Sequence, residues 1–186
     1  MKLNHECLRS TEPKNVIFLD VDGVLNSRRC LSMGEHIDMA CARHVRRIAL
    51  HADADIVISS TWRIGNNTHT LREMFYMCGL YRVIGRTSDN CPKGTSLDER
   101  GHEIEEWIKA FGCKKYLILD DDTDFLDHQK INFIKTDAEV GITEEQSTHA
   151  IRNIFGVTTP FCPECNGYGR VEEFVKCGSC NTSLNM

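Results

Sequence analysis

The sequence predicts an α/β domain built on a doubly wound parallel sheet, followed by a small cysteine-bearing tail. Three observations predict it. Short apolar runs rich in β-branched and aromatic residues alternate with stretches of helical periodicity, the pattern of a parallel sheet with crossover helices. Two of those runs, Val16-Ile-Phe-Leu19 and Tyr116-Leu-Ile-Leu119, finish on carboxylates. Two Cys-x-x-Cys pairs, Cys162/Cys165 and Cys177/Cys180, stand near the end of the chain. Right-handed crossovers with the first strand central give the strand order 3-2-1-4-5.

The elements follow in sequence. Residues 1–14 form a polar N-terminal segment with no apolar stretch of signal-peptide length. Residues 15–19 read as a buried strand, delivering Asp20 and Asp22 into a turn at Gly23. A helix is expected from about Ile37 to His51, with Arg43, Arg46 and Arg47 at i, i+3, i+4 making one basic, solvated face. Only a short flap then fits between the first two strands, and no large cap. The second strand, Asp55–Ile58, runs into Ser59-Ser60-Thr61-Trp62-Arg63. Thr68–Cys78 places Leu71, Met74, Phe75 and Cys78 at helical spacing before Gly79, and Arg82–Ile84 makes a third strand. A helix over Glu103–Phe111 gathers Ile104, Trp107, Ile108 and Phe111 on one face, which assigns Trp107 to the core. The fourth strand ends in Asp120-Asp121-Asp122-Thr123-Asp124. A fifth strand over Ile131–Lys135 precedes a helix opened by the capping box Thr143-Glu-Glu-Gln146.

Length and composition agree with one α/β domain, residues 15–159, plus a tail, residues 160–186. The chain has 186 residues, 41% of them hydrophobic, enough for a core of that size. No apolar run is long enough to span a membrane, so a soluble, cytoplasmic protein is expected. The formal net charge of −5 disfavours tight binding to long nucleic acids but accommodates a nucleotide or a short end. Six cysteines (Cys7, Cys30, Cys41, Cys78, Cys91, Cys113) fall singly along the chain and read as free core thiols.

Two carboxylates one residue apart at the carboxyl edge of a sheet point to chemistry, although an Asp-Gly turn alone is an ordinary strand ending. Converging acids from the first and fourth strands repel one another. A divalent cation relieves that repulsion and suits a phosphate substrate. Ser59, Ser60 and Arg63 add hydroxyl and guanidinium donors of the kind a transferring phosphoryl group needs. Trp62 and Arg63 have two readings: stacking on a base and pairing with a phosphate at the mouth, or packing under the flap and salt-bridging an acid.

These residues together resemble the haloacid dehalogenase (HAD) superfamily of phosphotransferases, whose first motif is Asp-x-Asp-Gly after an apolar strand. The resemblance covers residues 15 to about 157. It implies Asp20 as nucleophile, Asp22 as general acid and base, Ser59 as a ligand of the phosphoryl oxygens, and Asp120 and Asp121 as the acidic pair that holds Mg2+ together with Asp20 and Asp22. Asp124 is a further contributor. The family's phosphate-binding base falls on Arg100, ahead of Gly101-His-Glu-Ile104, or on its competitor Lys93. The strings Asp-Val-Asp-Gly-Val-Leu-Asn, Ser-Ser-Thr-Trp-Arg and Arg-Gly-His-Glu-Ile-Glu-Glu-Trp-Ile look like the branch of small RNA-repair and phage-associated phosphatases, and like the phosphatase half of polynucleotide kinase-phosphatases. An absent cap is similar to members that accept bulky substrates. The expected activity is a Mg-dependent phosphomonoesterase working through an aspartyl-phosphate on nucleotides or nucleic-acid ends. The alternatives are a phosphatase of another metabolite or a phosphoprotein, and a non-catalytic adaptor that keeps the fold.

The spacing Cys162-Pro-Glu-Cys165 and Cys177-Gly-Ser-Cys180 is that of two zinc knuckles, which bring four thiolates to one tetrahedral centre. The Cys-Pro-Glu-Cys-Asn-Gly-Tyr-Gly string resembles the cysteine repeats of DnaJ-type chaperones and zinc ribbons. A structural Zn2+ is expected, contributing most of the tail's folding energy. Few basic residues accompany it, so the tail is a poor nucleic-acid clamp and serves stability, a protein partner or homo-oligomer assembly. Tyr168 and Phe174 form its small core or stack on a base.

Overall fold

A computed structural model describes residues 12–88, 99–168 and 177. Its described residues form one parallel sheet of five strands in the order β3-β2-β1-β4-β5, the order expected. The strands are β1 (Asn15–Leu19), β2 (Ala54–Ile58), β3 (Val83–Arg86), β4 (Tyr116–Asp120) and β5 (Phe133–Lys135). β1 is central, pairing Leu19 with Ile58 of β2 on one side and with Leu119 of β4 on the other. Because the three strands end in register, the residues that follow each of them emerge together at one edge.

Helices α1 (Arg28–Ser32), α2 (Met39–His51), α3 (Thr68–Tyr76), α4 (Glu99–Phe111) and α5 (Glu144–His149) cover the sheet. Alternation along the strands sends side chains to two cores. Ile17, Leu19, Ile56 and Ile58 meet Val45, Ile48, Leu71 and Phe75 on one face, and Phe18, Val57 and Ile118 meet Ile104 and Trp107 on the other. Phe18 packs edge-on against Trp107, with centroids 5.3 Å apart. Trp107 is thus core. Among the described residues, no helix is long and apolar enough to cross a membrane.

Several boundaries differ from expectation for visible reasons. α2 begins at Met39 because Asp38 caps it, accepting from Ala40 N at 2.8 Å. α4 begins at Glu99 rather than Glu103, so Arg100 lies inside the helix and not ahead of it. The fifth strand starts at Phe133, since Asp127–Asn132 forms a 3-10 turn that leaves Ile131 82% exposed. α1, a single turn capped by Ser27, was not expected and occupies the flap. The capping box at Thr143 and Gln146 is present as read.

The basic face of α2 requires correction. Arg47 is 1% exposed, not solvated. Its Nη1 donates to Ser147 and Thr148 of α5, both at 2.9 Å, and its guanidinium lies over the rings of Phe161 at 4.2 Å and Tyr168 at 5.0 Å. Arg152 covers Phe161 as well, at 4.0 Å. His44 Nδ1 meets Tyr168 Oη at 2.8 Å, and His51 Nε2 meets the Gly167 carbonyl at 3.0 Å. The segment from Phe161 to Tyr168 is therefore seated on α2 and α5. Tyr168 packs on the helix rather than within a separate tail core, and Phe174 lies outside the described residues.

Candidate active site

The site grows from the ends of β1, β2 and β4. Asp20 follows β1 and is 4% exposed; Asp120 closes β4 and is fully buried. Carboxylate oxygens of Asp20, Asp120 and Asp121 all lie within 4.8 Å of one another. Gly23 makes this approach feasible twice over. Its φ of +72° suits glycine, and a Cβ there would overlap the Asp121 carboxyl.

Arg100 supplies the local positive charge. Its Nη1 donates to Asp20 Oδ1 at 3.0 Å and to Asp120 Oδ2 at 2.6 Å, and its Nε stands 3.8 Å from Asp124 Oδ1. Gly101 sets that reach, because a Cβ at 101 would stand 2.7 Å from Leu126 N and push α4 away from the acidic loop. Of the two candidate bases, Arg100 is the one the structure brings to the carboxylates; Lys93 lies outside the described residues.

Electrostatics follow from this crowding. Burial, the Asp120 carboxylate and, more weakly, Asp22 push the Asp20 carboxyl up from 3.8 to about 7, against the opposing pull of Arg100 and the Ser60 hydroxyl. Burial likewise raises Asp120 and Asp124. Burial disfavours the charged form of Arg100, yet Asp120 and Asp20 outweigh it and raise its pKa. Three carboxylates with one guanidinium leave a surplus of negative charge. Converging hard oxygen donors with such a surplus fit a magnesium ion.

In the turn after β2, the Ser60 hydroxyl is hydrogen-bonded to Asp20. Ser59 Oγ is buried and has no hydrogen-bond partner among the described residues. Of its two readings, Arg63 takes the ion pair with an acid and not the substrate contact at the mouth. It is 7% exposed and turned inward, donating to the carbonyls of Ser59 at 3.0 Å, Ser60 at 2.8 Å and Ser88 at 3.2 Å, and pairing with Glu103 at 2.5 Å. A short loop of neighbouring carbonyls with a buried carboxylate offers this Arg better partners than solvent does.

Trp62 is likewise not a free stacking platform. Its ring packs toward Phe75, centroids 6.4 Å apart at 33°, and its Nε1 donates to Asp22 Oδ1 at 3.2 Å and Oδ2 at 3.1 Å. Asp22 itself is exposed. Asn26 holds it from the other side, Nδ2 donating to Oδ1 at 2.8 Å while Asn26 Oδ1 accepts from Gly23 N at 3.1 Å. Asn26 and Glu103 were missed in the sequence. The signal for Asn26 was its type and place, an amide closing the Asp-Gly turn on itself; a Glu within a helix gave no comparable sign.

The three described cysteines of the tail, Cys162, Cys165 and Cys177, also converge, their sulfurs within 4.8 Å of one another. Glu164 Oε2 stands 3.6 Å from Cys177 Sγ. Cys180 lies outside the described residues. Clustered thiols are a zinc-type donor set.

No curated protein and no solved structure matches the chain. A family model does: the HAD domain in Swiss Army Knife RNA repair proteins matches residues 16–147, a span that contains the whole carboxylate cluster, Arg100 and the Ser59–Arg63 turn. With its sheet order and its strand-end acids, the chain belongs to the HAD domain family of Swiss Army Knife RNA repair proteins.

Proposed function

We propose that the protein is a magnesium-dependent phosphomonoesterase that acts on nucleotides or nucleic-acid ends through an aspartyl-phosphate on Asp20. The observation that carries this reading is the placement of Asp20 at the sheet edge, flanked by Arg100, Asp120, Asp121 and Ser60. Membership of an RNA-repair family supports HAD phosphatase-type chemistry and a nucleic-acid end as substrate.

A carboxylate of Asp20 attacks the phosphorus in line. As the Asp20 O–P bond forms, the ester O–P bond breaks, and Asp22 gives its proton to the departing alkoxide. Asp22, now ionised, takes a proton from the water that attacks the phosphorus of the acyl phosphate, releasing inorganic phosphate and restoring Asp20. The exposure of Asp22 suits both transfers, since one partner is a substrate oxygen and the other is water. Arg100 offsets the charge on Asp20 and on the incoming phosphate, and Ser59 and Ser60 offer hydroxyls to the phosphoryl oxygens. Asp20, Asp120 or Asp121, and the Asp22 main-chain carbonyl would hold magnesium, which supplies charge neutralisation at the phosphoryl group.

Between β1 and α2 the chain provides only the α1 flap, which leaves room for a polymer end at the described face of the site. Cys162, Cys165, Cys177 and Cys180 would hold a structural zinc in a C-terminal unit of residues 160–186, whose described Phe161–Tyr168 segment packs on α2 and α5. The test is phosphate release, with and without magnesium, from 5′- and 3′-nucleotides, end-phosphorylated oligonucleotides, sugar phosphates and a phosphopeptide. Selective magnesium-dependent release from nucleotides or oligonucleotide ends is expected. Release confined to sugar phosphates or phosphopeptide would move the substrate assignment to a metabolite or a phosphoprotein.

A further inference from the structure

Asp22 has two side-chain torsions and an exposed position, so a carboxylate there samples several rotamers unless something holds it. Two groups converge to hold this one through three contacts. Trp62 Nε1 reaches both oxygens, at 3.2 and 3.1 Å, and Asn26 Nδ2 reaches Oδ1 at 2.8 Å. The indole is itself anchored: its ring packs toward Phe75, its main-chain N–H donates to Ser60 Oγ at 3.3 Å, and its carbonyl accepts from Asn66 Nδ2 at 2.9 Å.

We infer that Trp62 is a positioning residue for the acid and base of the reaction, fixing the direction in which Asp22 faces the leaving oxygen and the attacking water. The inference rests on the phosphatase reading. An indole N–H is a donor with no acceptor, so it orients a carboxylate without exchanging a proton with it. The arrangement also links two tasks. Ser60 and Trp62 belong to one turn after β2, so the turn that sets a hydroxyl against Asp20 sets the indole against Asp22. Asn26 alone grips a single oxygen and leaves the carboxylate free to pivot about it; the bifurcated indole contact removes that freedom. Angular misplacement of a reacting group is costly, on the order of a hundredfold for about 1 Å.

The experiment uses the full chain. Trp62→Phe keeps a ring against Phe75 and loses only the N–H. Its kcat on a nucleoside monophosphate should fall on the order of ten- to a hundredfold with KM little changed. On p-nitrophenyl phosphate, whose leaving group departs without a proton, the loss in the first step should be much smaller. In an Asp22→Asn background the same substitution should cost nothing further. Equal losses in the first step on both esters, measured as single-turnover phosphorylation, or full additivity with Asp22→Asn, would overturn the inference. A second readout needs no turnover. The chain has two tryptophans, so the Trp62 indole N–H resonance is identified by its disappearance in Trp62→Phe. Asp22→Ala should shift it while leaving that of Trp107 in place. An unmoved resonance overturns the contact and the inference with it. Absence of turnover in the wild type, with the resonance shifting, would instead fail the phosphatase reading while leaving the contact standing.

Discussion

Burial beside Asp120 makes the Asp20 carboxyl costly to ionise. Its folded-state pKa, about 7, lies above the ordinary 3.8, so the native protein binds this proton more tightly than the unfolded chain. The carboxyl therefore contributes most to stability below about pH 4, and that contribution is lost as pH rises from about 4 to about 7. In metal-free protein above pH 7, Asp20→Asn should raise the melting temperature even as it abolishes turnover; an unchanged or lowered melting temperature would contradict the burial and repulsion assigned here. Asp22→Asn should lower kcat on alkyl esters by roughly a hundred- to ten-thousandfold, the usual worth of a positioned general acid. Glu103 offers a stability test of a different kind. Removing it strands the Arg63 guanidinium in the interior, and Glu103→Ala should cost about 3–5 kcal/mol in denaturant unfolding. A cost near zero would mean that Arg63 finds solvent. Much of the residue-scale site was legible in the sequence, because Asp20, Asp22, Asp120 and Asp121 stand in one local pattern at strand ends. Arg63 was legible only as two alternatives, since whether a strand-end Arg points out or in depends on a carboxylate forty positions away.

At the scale of elements, α2 and α5 and the Phe161–Tyr168 segment form one joint around Arg47. Its two histidines are tuned by that joint. Burial lowers His44, with Arg47 and Arg43 acting in the same sense and Glu144 and Asp38 against it. Burial also lowers His51, helped by Arg47 and Arg152 and opposed by the Gly167 carbonyl. The unfolded chain then binds these protons more readily than the native one, so the joint is most stable above about pH 6.5 and weakens as pH falls through that value. Asp20 works in the opposite direction over the same range. The joint's share is therefore read as a difference: wild type should lose more stability between pH 7 and mildly acidic pH than His44→Ala/His51→Ala does, and parallel curves would contradict the role given to the pair. Helix α2 and its cap region were readable from periodicity, but the inward turn of Arg47 was not. Its aromatic partners lie in a segment whose composition gave no sign of returning to this helix. The start of β5 was misread for a simpler reason: Ile131 is apolar and β-branched yet sits exposed on a 3-10 turn.

For the whole molecule, the sheet order was fully legible, because right-handed crossovers and a central first strand leave few alternatives. Less legible was where the cysteine segment would sit. α2 starts near the site edge, where Asp38 N donates to Leu25 O, and ends beside the beginning of β1, where Asn15 Nδ2 donates to Ala52 O at 2.6 Å. Gly167 meets His51, the last residue of α2. The docked Phe161–Tyr168 segment thus touches the end of α2 opposite Asp20 and, through Asn166, Glu144 at the start of α5, and we propose a role in stability for it. Cys162→Ala should lower the melting temperature and release zinc while leaving kcat on a nucleotide ester within about twofold, as expected for sites distant enough to act independently. A large kcat loss in protein that remains folded would link the tail to catalysis instead.

The proposed mechanism requires Asp20 to carry the phosphoryl group. Its most direct test is acid quenching of the Asp22→Asn enzyme during reaction with p-nitrophenyl phosphate and magnesium, followed by mass spectrometry of the peptide bearing Asp20. This variant keeps the nucleophile, uses a leaving group that needs no proton and lacks the base that hydrolyses the acyl phosphate. One phosphoryl mass should accumulate on Asp20 and be absent from the Asp20→Asn/Asp22→Asn double variant. Turnover by Asp20→Asn enzyme, or a phosphoryl group on any other residue, would contradict it.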